Sequence, residues 1–304
     1  MDTAARWLMP RGRGAHKGDA GRVYIIAGSR GMAGAAVLSA LGAVRSGAGL
    51  VRVGTVKSQQ PVVARRAPLE VTSEGFAEGA DGRFSAGAWS ALRRSLESFN
   101  PDVIAIGPGL GRSRGVEALI RNILFRQPAA VVVDADALNS LSELKAAKFV
   151  TPAVTTPHPG EMARLLGVST ATVEKNRVGA VVSAARHFRA VALLKGAGTL
   201  VSDGRSVWKN TTGNAAMASG GMGDVLTGIV AATWAQMPAQ TLGSGARAAS
   251  LAAFVHGLAA DIAVKNFPQR TLLASDLAEA LPRAFLRLWR RKPRGPWTAW
   301  SLDN

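Results

Sequence analysis

Short apolar runs that end in glycine or aspartate alternate with longer amphipathic segments along most of this chain. Five runs have the length and content of buried strands: RVYIIAG (22–28), LVRVGT (50–55), DVIAIGPG (102–109), AAVVVDAD (129–136) and AVALLKGAG (190–198). Apolar residues recur at helical spacing at 34–47, 116–125, 137–147 and 176–188. This alternation predicts an α/β fold with a central, mostly parallel sheet covered by helices on both faces. We expect one such domain over residues 1–288 and a poorly ordered basic tail over 289–304.

The composition suits a compact α/β domain. Of the 304 residues, 47% are hydrophobic, only 6% are aromatic and 34 are glycine, as many tight turns require. The absence of cysteine excludes disulfides and thiolate metal sites and favours a reducing compartment. The N-terminus lacks the apolar core of a secretory signal, and His256 and Asp261 interrupt the apolar stretch LAAFVHGLAADIAV. We therefore expect a cytoplasmic protein with no membrane partner.

A formal net charge of +17 is typical of proteins that bind nucleic acid. The basic residues are scattered, however, and no basic repeat interleaved with aromatic residues is present. Their one dense cluster lies between Arg283 and Arg294. We therefore expect anionic small-molecule ligands and no nucleic-acid partner.

Asp224 lies in the stretch GGMGDVLTG (220–228), between three glycines and a long apolar helical pattern. Glycine loses more conformational freedom on folding than any other residue, so this cluster indicates a close approach of the backbone to another group. The N–H groups at a helix start favour anions. Either Asp224 caps the helix, or the amides of Gly221, Met222 and Gly223 form an anion hole beside which Asp224 acts as a catalytic base.

Three further loops at predicted strand ends or helix starts carry small residues or carboxylates. GPGLG (107–111) exposes amides that suit a pyrophosphate or a sugar. In DADALN (134–139), Asp134 and Asp136 either organise magnesium or hold a hydroxyl group, or Asp136 caps the following helix. The small residues of GMAGAA (31–36) allow close approach either of a ligand or of another helix.

Two more loops offer a histidine and a lysine. In TTPHPGE (155–161), prolines on both sides of His158 restrict the backbone and aim the imidazole. Glu161 suits the first turn of a helix, or lies close to a nucleotide-bound metal ion. LLKGAGT (193–199) offers the Lys195 ammonium and glycine amides to phosphates, without the spacing of a P-loop.

The motifs HKG, IIAGS, GPGLG, DADALN, TPHPGE, LKGAGT and TGNAAMASGGMGDVLTG, in this order, closely resemble those of the ADP-dependent NAD(P)H-hydrate dehydratase family, over roughly residues 14–285. The resemblance implies a ribokinase-like fold and a lyase that repairs the (6S)-hydrates of NADH and NADPH. In that reaction ADP becomes AMP and phosphate. The hydroxyl of the damaged ring is phosphorylated, with Asp224 taking its proton, and phosphate then leaves.

The resemblance also implies ligand contacts. For the hydrated dinucleotide these are Ala35, Gly109, Gly111, His158 and Asp224. For ADP or AMP they are Lys195, Gly196, Ala197, Gly198, Thr199 and Gly223. Glu161 occupies the place of an acid near nucleotide-bound Mg²⁺, and Gly221 to Gly223 form the anion hole.

The chain departs from the family pattern at Ala215 and Ala216, where a proline–glycine pair is usual, without loss of a reacting group. Bifunctional relatives carry a hydrate epimerase domain ahead of the dehydratase, whereas about 15 residues precede His16 here. We therefore expect the epimerase as a functional partner on a separate chain. The family also suggests a homotetramer.

Two other functions would use some of the same motifs. A kinase of the same fold, acting on a vitamin precursor such as hydroxymethylpyrimidine, would share the lysine–glycine strand end and the glycine-rich aspartate turn. His158 within TPHPGE and the long TGN…GGMGDVLTG stretch favour the dehydratase. A non-catalytic nucleotide sensor would gain nothing from Asp224, because a carboxylate repels phosphate.

Overall fold

The computed structural model describes residues 13–144, 149–290 and 298–301, and its strands form one ten-stranded sheet. The strand order is β10-β9-β8-β7-β6-β5-β4-β1-β2-β3. The first seven strands in the chain run parallel, and the last three are antiparallel to their neighbours. The bounds are β1 (Arg22–Ile26), β2 (Leu50–Val56), β3 (Val71–Phe76), β4 (Val103–Ile106), β5 (Ala130–Val133), β6 (Ala153–Thr155), β7 (Val191–Leu194), β8 (Leu200–Ser202), β9 (Ser206–Lys209) and β10 (Thr298–Ser301).

Helices cover both faces of the sheet, as predicted. Alternate residues of β1 point to opposite faces, so Val23 and Ile25 join one hydrophobic core while Tyr24 and Ile26 join the other. The helices are α1 (Ala33–Arg45), α2 (Gln60–Arg66), α3 (Ala88–Phe99), α4 (Arg114–Arg126), α5 (Ala135–Glu143), α6 (Pro159–Leu166), α7 (Thr170–Lys175), α8 (Arg177–Phe188), α9 (Met222–Ala235), α10 (Leu242–Ala263) and α11 (Ala274–Arg290). The first core includes residues of α1, α9, α10 and α11, and the second includes residues of α3, α4 and α5.

The C-terminal segment differs from the poorly ordered tail expected over 289–304. Helix α11 continues through Trp289 and Arg290, and residues 298–301 pair with β9 as the edge strand β10. The other residues of the expected tail lie outside the described residues, as do 1–12 and the last part of the helix expected over 137–147. Among the described residues, no helix is long and apolar enough to cross a membrane.

The strand order places a topological switch point between β1 and β4. Strand β1 lies between β2 and β4. After β1 the chain continues to β2 on one side, and after β4 it continues to β5 on the other side. In open α/β sheets, such a point opens a crevice at the carboxyl ends of the strands. The loops after β1 and β4 meet there, with the Gly28 amide donating to the carbonyl of Pro108 at 2.9 Å.

Candidate active site

Helix α9 begins in a glycine turn that leaves its first amides without a side-chain cap. Gly221, which precedes the helix, has a φ of 84°, a conformation that favours glycine. A Cβ at this position would also lie 2.5 Å from Cδ1 of Leu38. Gly221 has no side chain with which to cap the helix, so the N–H groups of its first turn are available to an anion.

Asp224 lies in the first turn of α9 but is not its capping residue, because that position belongs to Gly221. The structure therefore excludes the capping interpretation. Burial raises the pKa of Asp224 to about 7, with Asp134 and Asp136 raising it further and Lys195 opposing them. A carboxyl group that titrates near neutral pH can take up and release a proton during turnover.

Asp134, at the end of β5, joins this region to α9. Its Oδ1 accepts a hydrogen bond from Nζ of Lys195 at 2.8 Å, and its Oδ2 accepts one from Oγ1 of Thr227 at 2.7 Å. Thr227 lies about one helical turn after Asp224. Both oxygens thus accept hydrogen bonds from the protein, so Asp134 connects Lys195 to helix α9.

The ammonium of Lys195 lies among carboxylates at the end of β7. Its Nζ is 2.8 Å from Asp134 Oδ1 and 3.7 Å from Glu161 Oε2. Burial alone would lower the pKa of Lys195, but Asp134 and Glu161 hold it above its ordinary value, so the group stays charged. A Cβ on Gly223 would lie 3.4 Å from this nitrogen. The positive charge therefore stands next to the first turn of α9.

His158 and Glu161 cap α6 reciprocally. Nδ1 of His158 accepts from the amides of Gly160 at 3.0 Å and Glu161 at 3.3 Å, while Glu161 Oε2 accepts from the His158 amide at 2.7 Å. An accepting Nδ1 places the proton of the neutral ring on Nε2, 3.4 Å from Glu161 Oε1. The half-exposed imidazole is thus held in one orientation at the carboxyl end of β6.

Within residues 13–144 and 149–290, no three His, Asp or Glu side chains are grouped to hold a metal ion. The buried Glu161 already uses Oε2 for the His158 amide, which leaves Oε1. Magnesium in phosphate-transfer sites usually keeps several waters and binds one or two carboxylates together with substrate phosphates. The residues therefore fit magnesium that arrives with a nucleotide, with Glu161 as its nearest carboxylate.

The crevice between β1 and β4 brings Gly109 and Ala35 together. Gly109 has a φ of 64°, and a Cβ there would lie 3.0 Å from the Cβ of Ala35. Its carbonyl accepts from Oγ of Ser29 at 2.8 Å. The amide of Gly111 donates to Asp136 Oδ2 at 2.8 Å. Asp136 therefore fixes the loop after β4, as Asp134 fixes the start of α9.

The turn between β7 and β8 contains the residues expected to bind nucleotide. Gly196 and Gly198 have φ values of 131° and 64°, and Oγ1 of Thr199 donates to the Gly196 carbonyl at 3.0 Å. Arg177 donates to the carbonyl of Lys195 at 3.1 Å and supports the turn from α8. Because Lys195 begins the turn, these residues adjoin the glycine turn of α9.

Comparison with known proteins identifies the fold and the family. The family model described as NAD(P)H-hydrate dehydratase matches residues 23–283, most of the described chain and every loop discussed above. The chain belongs to the NAD(P)H-hydrate dehydratase family. This confirms the family resemblance, and all of its motifs except HKG lie within the matched residues.

The similar proteins agree with this membership. A bifunctional NAD(P)H-hydrate repair enzyme of Moorella thermoacetica is 41% identical over 273 residues, covering 88% of this chain and 49% of that protein. The chain thus spans about half the length of the curated relatives it matches. The ADP/ATP-dependent NAD(P)H-hydrate dehydratase of Bacillus subtilis, co-crystallized with ATP/Mg²⁺, has a TM-score of 0.78 and 31% identity, covering 94% of this chain and 96% of that chain.

Kinases resemble this dehydratase-family chain in fold alone. A hydroxyethylthiazole kinase of Pyrococcus horikoshii OT3 has a TM-score of 0.58 at 16% identity, covering 94% of this chain and 96% of that chain. The vitamin-kinase alternative therefore rests on shared architecture and is weaker than the dehydratase.

Three residues near the dehydratase-family motifs were not predicted as parts of the site: Thr227, His256 and Asp261. Thr227 follows Asp224 at helical spacing, which is the signal that could have revealed it. In the sequence, His256 and Asp261 appear only as polar interruptions of an apolar helix, although such isolated polar residues usually have a specific partner. Their partners, Met222 at the start of α9 and Gly213 and Asn214 in the preceding loop, are distant in sequence, and only the fold brings them together.

Proposed function

We propose that this chain repairs nicotinamide dinucleotides by dehydrating the (6S)-hydrates of NADH and NADPH, with ADP as the phosphoryl donor. Family membership and the likeness to the Bacillus subtilis dehydratase support this reaction. The observation that carries it is Asp224, a carboxyl group with a pKa raised to about 7 beside the uncapped first turn of α9 and the Lys195 ammonium.

In the proposed first step, the hydroxyl oxygen on the damaged ring attacks the terminal phosphoryl group of ADP. Asp224 accepts the hydroxyl proton, a new O–P bond forms, and the bond to AMP breaks. Phosphoryl transfer chiefly needs positioning and stabilisation of charge. The amides of Gly221 to Gly223 and the Lys195 ammonium provide both. Magnesium bound with the nucleotide would neutralise phosphate charge, with Glu161 as the nearest carboxylate.

In the second step, phosphate leaves in place of the much poorer leaving group hydroxide. The lone pair of the ring nitrogen expels it, and loss of a proton from the adjacent ring carbon restores the double bond. The oxygen of the added water ends in the phosphate. The products are NADH or NADPH, AMP, phosphate and a proton, so the reaction balances without a further reactant.

The proposed ligand contacts form two groups, one for the hydrated dinucleotide and one for ADP or AMP. Ala35, Gly109, Gly111 and His158 would contact the hydrated dinucleotide, because their loops border the crevice at the carboxyl ends of β1, β4 and β6. ADP or AMP would lie on the turn from Lys195 to Thr199 and against Gly223, since a Cβ on Gly223 would touch Lys195 Nζ.

The proposal extends to partners and compartment. The Moorella thermoacetica relative is described as bifunctional and is about twice the length of the match. We propose that a hydrate epimerase is the functional partner of this chain, on the basis of the family resemblance. A homotetramer in the cytoplasm is the assembly that we propose, on the basis of family resemblance.

Product stoichiometry tests the proposed reaction. The purified protein would be incubated with NADH hydrate, magnesium and ADP, and the nucleotides and phosphate would be quantified by chromatography. We expect one AMP and one phosphate for each NADH formed. A stable phosphorylated product without NADH would instead favour a kinase of the same fold.

A further inference from the structure

Two polar side chains interrupt the apolar helix α10 and take no part in the steps above. His256 is buried, and Asp261 lies farther along the same helix. With Gly257 between them, they contact residues 210–222, a segment that leads into the first turn of α9. We call residues 210–221 the anion loop. This loop contacts α10 through hydrogen bonds and through a close approach of its backbone to Gly257.

Asp261 binds the middle of the anion loop. Its Oδ2 accepts from the Gly213 amide at 3.0 Å, and its Oδ1 accepts from Nδ2 of Asn214 at 2.9 Å. The Oδ1 of Asn214 in turn accepts from the Ala216 amide at 3.0 Å and caps a short 3₁₀ turn. Asp261 therefore orders both the loop backbone and the side chain that shapes its next turn.

Gly257 lets the start of the anion loop lie directly on α10. A Cβ at this position would lie 2.6 Å from the backbone carbonyl oxygen of Thr212. Oγ1 of Thr212 donates to the Phe254 carbonyl at 2.7 Å, and Nδ2 of Asn210 donates to the Ala253 carbonyl at 3.1 Å. No larger residue at 257 leaves room for this contact.

His256 supports the other end of the same segment. Its ring is buried and makes a hydrogen bond to the backbone of Met222, the first residue of α9. Nε2 has no hydrogen-bond partner among the described residues, so the bond is made through Nδ1. Burial lowers the pKa of His256 to about 4, so the ring is neutral in the physiological range and acts without charge.

The anion loop also contacts the turn between β7 and β8, residues 195–199, which we call the nucleotide turn. The Asn210 amide donates to the Thr199 carbonyl at 2.8 Å. One segment thus connects Thr199 at one end with Met222 at the other, and α10 contacts it at residues 210–214 and at Met222. Movement of this segment would change the distance between the nucleotide turn and the first turn of α9.

We propose that His256, Gly257 and Asp261 are positioning residues, which hold the anion loop against α10. They thereby fix the distance between the nucleotide turn and the glycine turn of α9. The proposal rests on the proposed function only for the identity of the nucleotide.

Asp261→Asn tests the central contact, because asparagine keeps one accepting oxygen and turns its NH2 group toward one of the two donors, Gly213 N or Asn214 Nδ2. Amide hydrogen exchange over residues 210–222 should become faster in this variant. The dissociation constant of Mg-ADP, measured by calorimetry, should rise about tenfold, as loss of a hydrogen bond to a charged group implies. The KM of the NADH hydrate should change much less, because its expected contacts lie on other loops.

Asp203→Asn is the matched control. Like Asp261, Asp203 accepts two N–H groups, here both from the backbone, of Arg205 at 2.9 Å and Ser206 at 2.8 Å. It lies in the turn between β8 and β9, away from the carboxyl ends of the parallel strands. It should leave both readouts unchanged. Asn214→Ala removes the loop partner, and its effect should not add to that of Asp261→Asn. Unchanged exchange and ADP affinity in a folded Asp261→Asn protein would overturn the proposal.

A second pair of variants avoids any change of charge. Gly257→Ala should accelerate exchange in the anion loop and weaken Mg-ADP binding, whereas Gly243→Ala, with only Thr241 Oγ1 near at 3.9 Å, should do neither. Equal effects of both variants would contradict the positioning role. Hydrogen exchange needs no ligand, so it tests the inference separately from the reaction: a wild-type protein that does not dehydrate the hydrate would count against the proposed function alone.

Discussion

At the scale of single residues, the reactivity assigned to Asp224 depends on the charges around it. Burial raises its pKa most, Asp134 and Asp136 raise it further, and Lys195 lowers it. Asp134 also holds Lys195 and Thr227 by direct hydrogen bonds. The same carboxylate therefore shapes both the geometry and the protonation of the proposed base.

Turnover should rise with pH through about 7, because Asp224 accepts a proton only when it is ionised. Asp134→Asn removes a negative charge that raises this pKa, so the acidic limb of the kcat profile should move to lower pH. The measurement is kcat against pH for both proteins, with the exposed Glu279→Gln as control. An unmoved limb in Asp134→Asn would show that another group controls it.

Asp224→Asn should lose roughly 10²- to 10⁴-fold in kcat while it retains ADP binding. It should also be more stable at alkaline pH. The folded pKa is raised from 3.8 to about 7, so the stability that Asp224 contributes is present below pH 3.8 and is lost as pH rises through 7. Thermal unfolding at two pH values checks this. A Tm difference that does not grow with pH would be inconsistent with the raised pKa.

The sequence allowed Asp224 and His158 to be predicted as site residues because their immediate neighbours, glycines and prolines, are unusual. It could not predict that Lys195 pairs with Asp134, since 61 residues separate them. From the sequence, Asp134 and Asp136 could organise magnesium or hold a hydroxyl group, and Asp136 could also cap the following helix. In the structure Asp134 binds Lys195 and Thr227, whereas Asp136 accepts from the Gly111 amide.

At the scale of elements, close packing of α1 and α9 sets the distance between the two sides of the site. A Cβ on Gly228 would overlap the Ser39 carbonyl, and one on Gly42 would overlap that of Val225. These helices begin near Ala35 and Asp224 respectively. The two glycines therefore allow the expected dinucleotide and phosphoryl regions to lie side by side.

Gly228→Ala should destabilise the protein by about 1–3 kcal/mol, since overpacking outweighs the gain of about 1 kcal/mol in helix propensity. Gly34→Ala, in open space on α1, should be neutral or stabilising. Urea unfolding of both variants provides the comparison. Equal or greater stability of Gly228→Ala would contradict the tight contact between these helices.

Elements with strong apolar patterns could be predicted from the sequence: β1, β2, β4, β5 and β7, together with α1, α4 and α8. Strand β6 has only three residues, and β3 contains polar residues at an exposed part of the sheet. Neither shows a pattern that distinguishes it from a loop. The order and direction of the strands depend on pairing between segments that are distant in sequence. General rules for parallel sheets predict that the strands are mostly parallel, but not their order.

At the scale of the whole molecule, the site is assembled from loops that all leave the carboxyl side of one sheet. The described residues contain no grouped metal ligands of their own, so magnesium should act through the nucleotide. Removing magnesium with a chelator should abolish turnover but leave the Tm of the ligand-free protein unchanged. Mg-ADP at about a hundred times its dissociation constant should add about 2.7 kcal/mol of stability. A Tm that falls on chelation alone would indicate a resident metal.

The most direct test of the account is recovery of the near-ultraviolet absorbance of NADH from purified NADH hydrate. Parallel reactions would contain magnesium with ADP, with ATP, or with no nucleotide, and each would be repeated with Asp224→Asn. We expect recovery that requires ADP and is almost lost in the variant. Recovery with ATP alone would retain the repair reaction but replace the donor. No recovery from a folded protein that binds Mg-ADP would contradict the proposed dehydration.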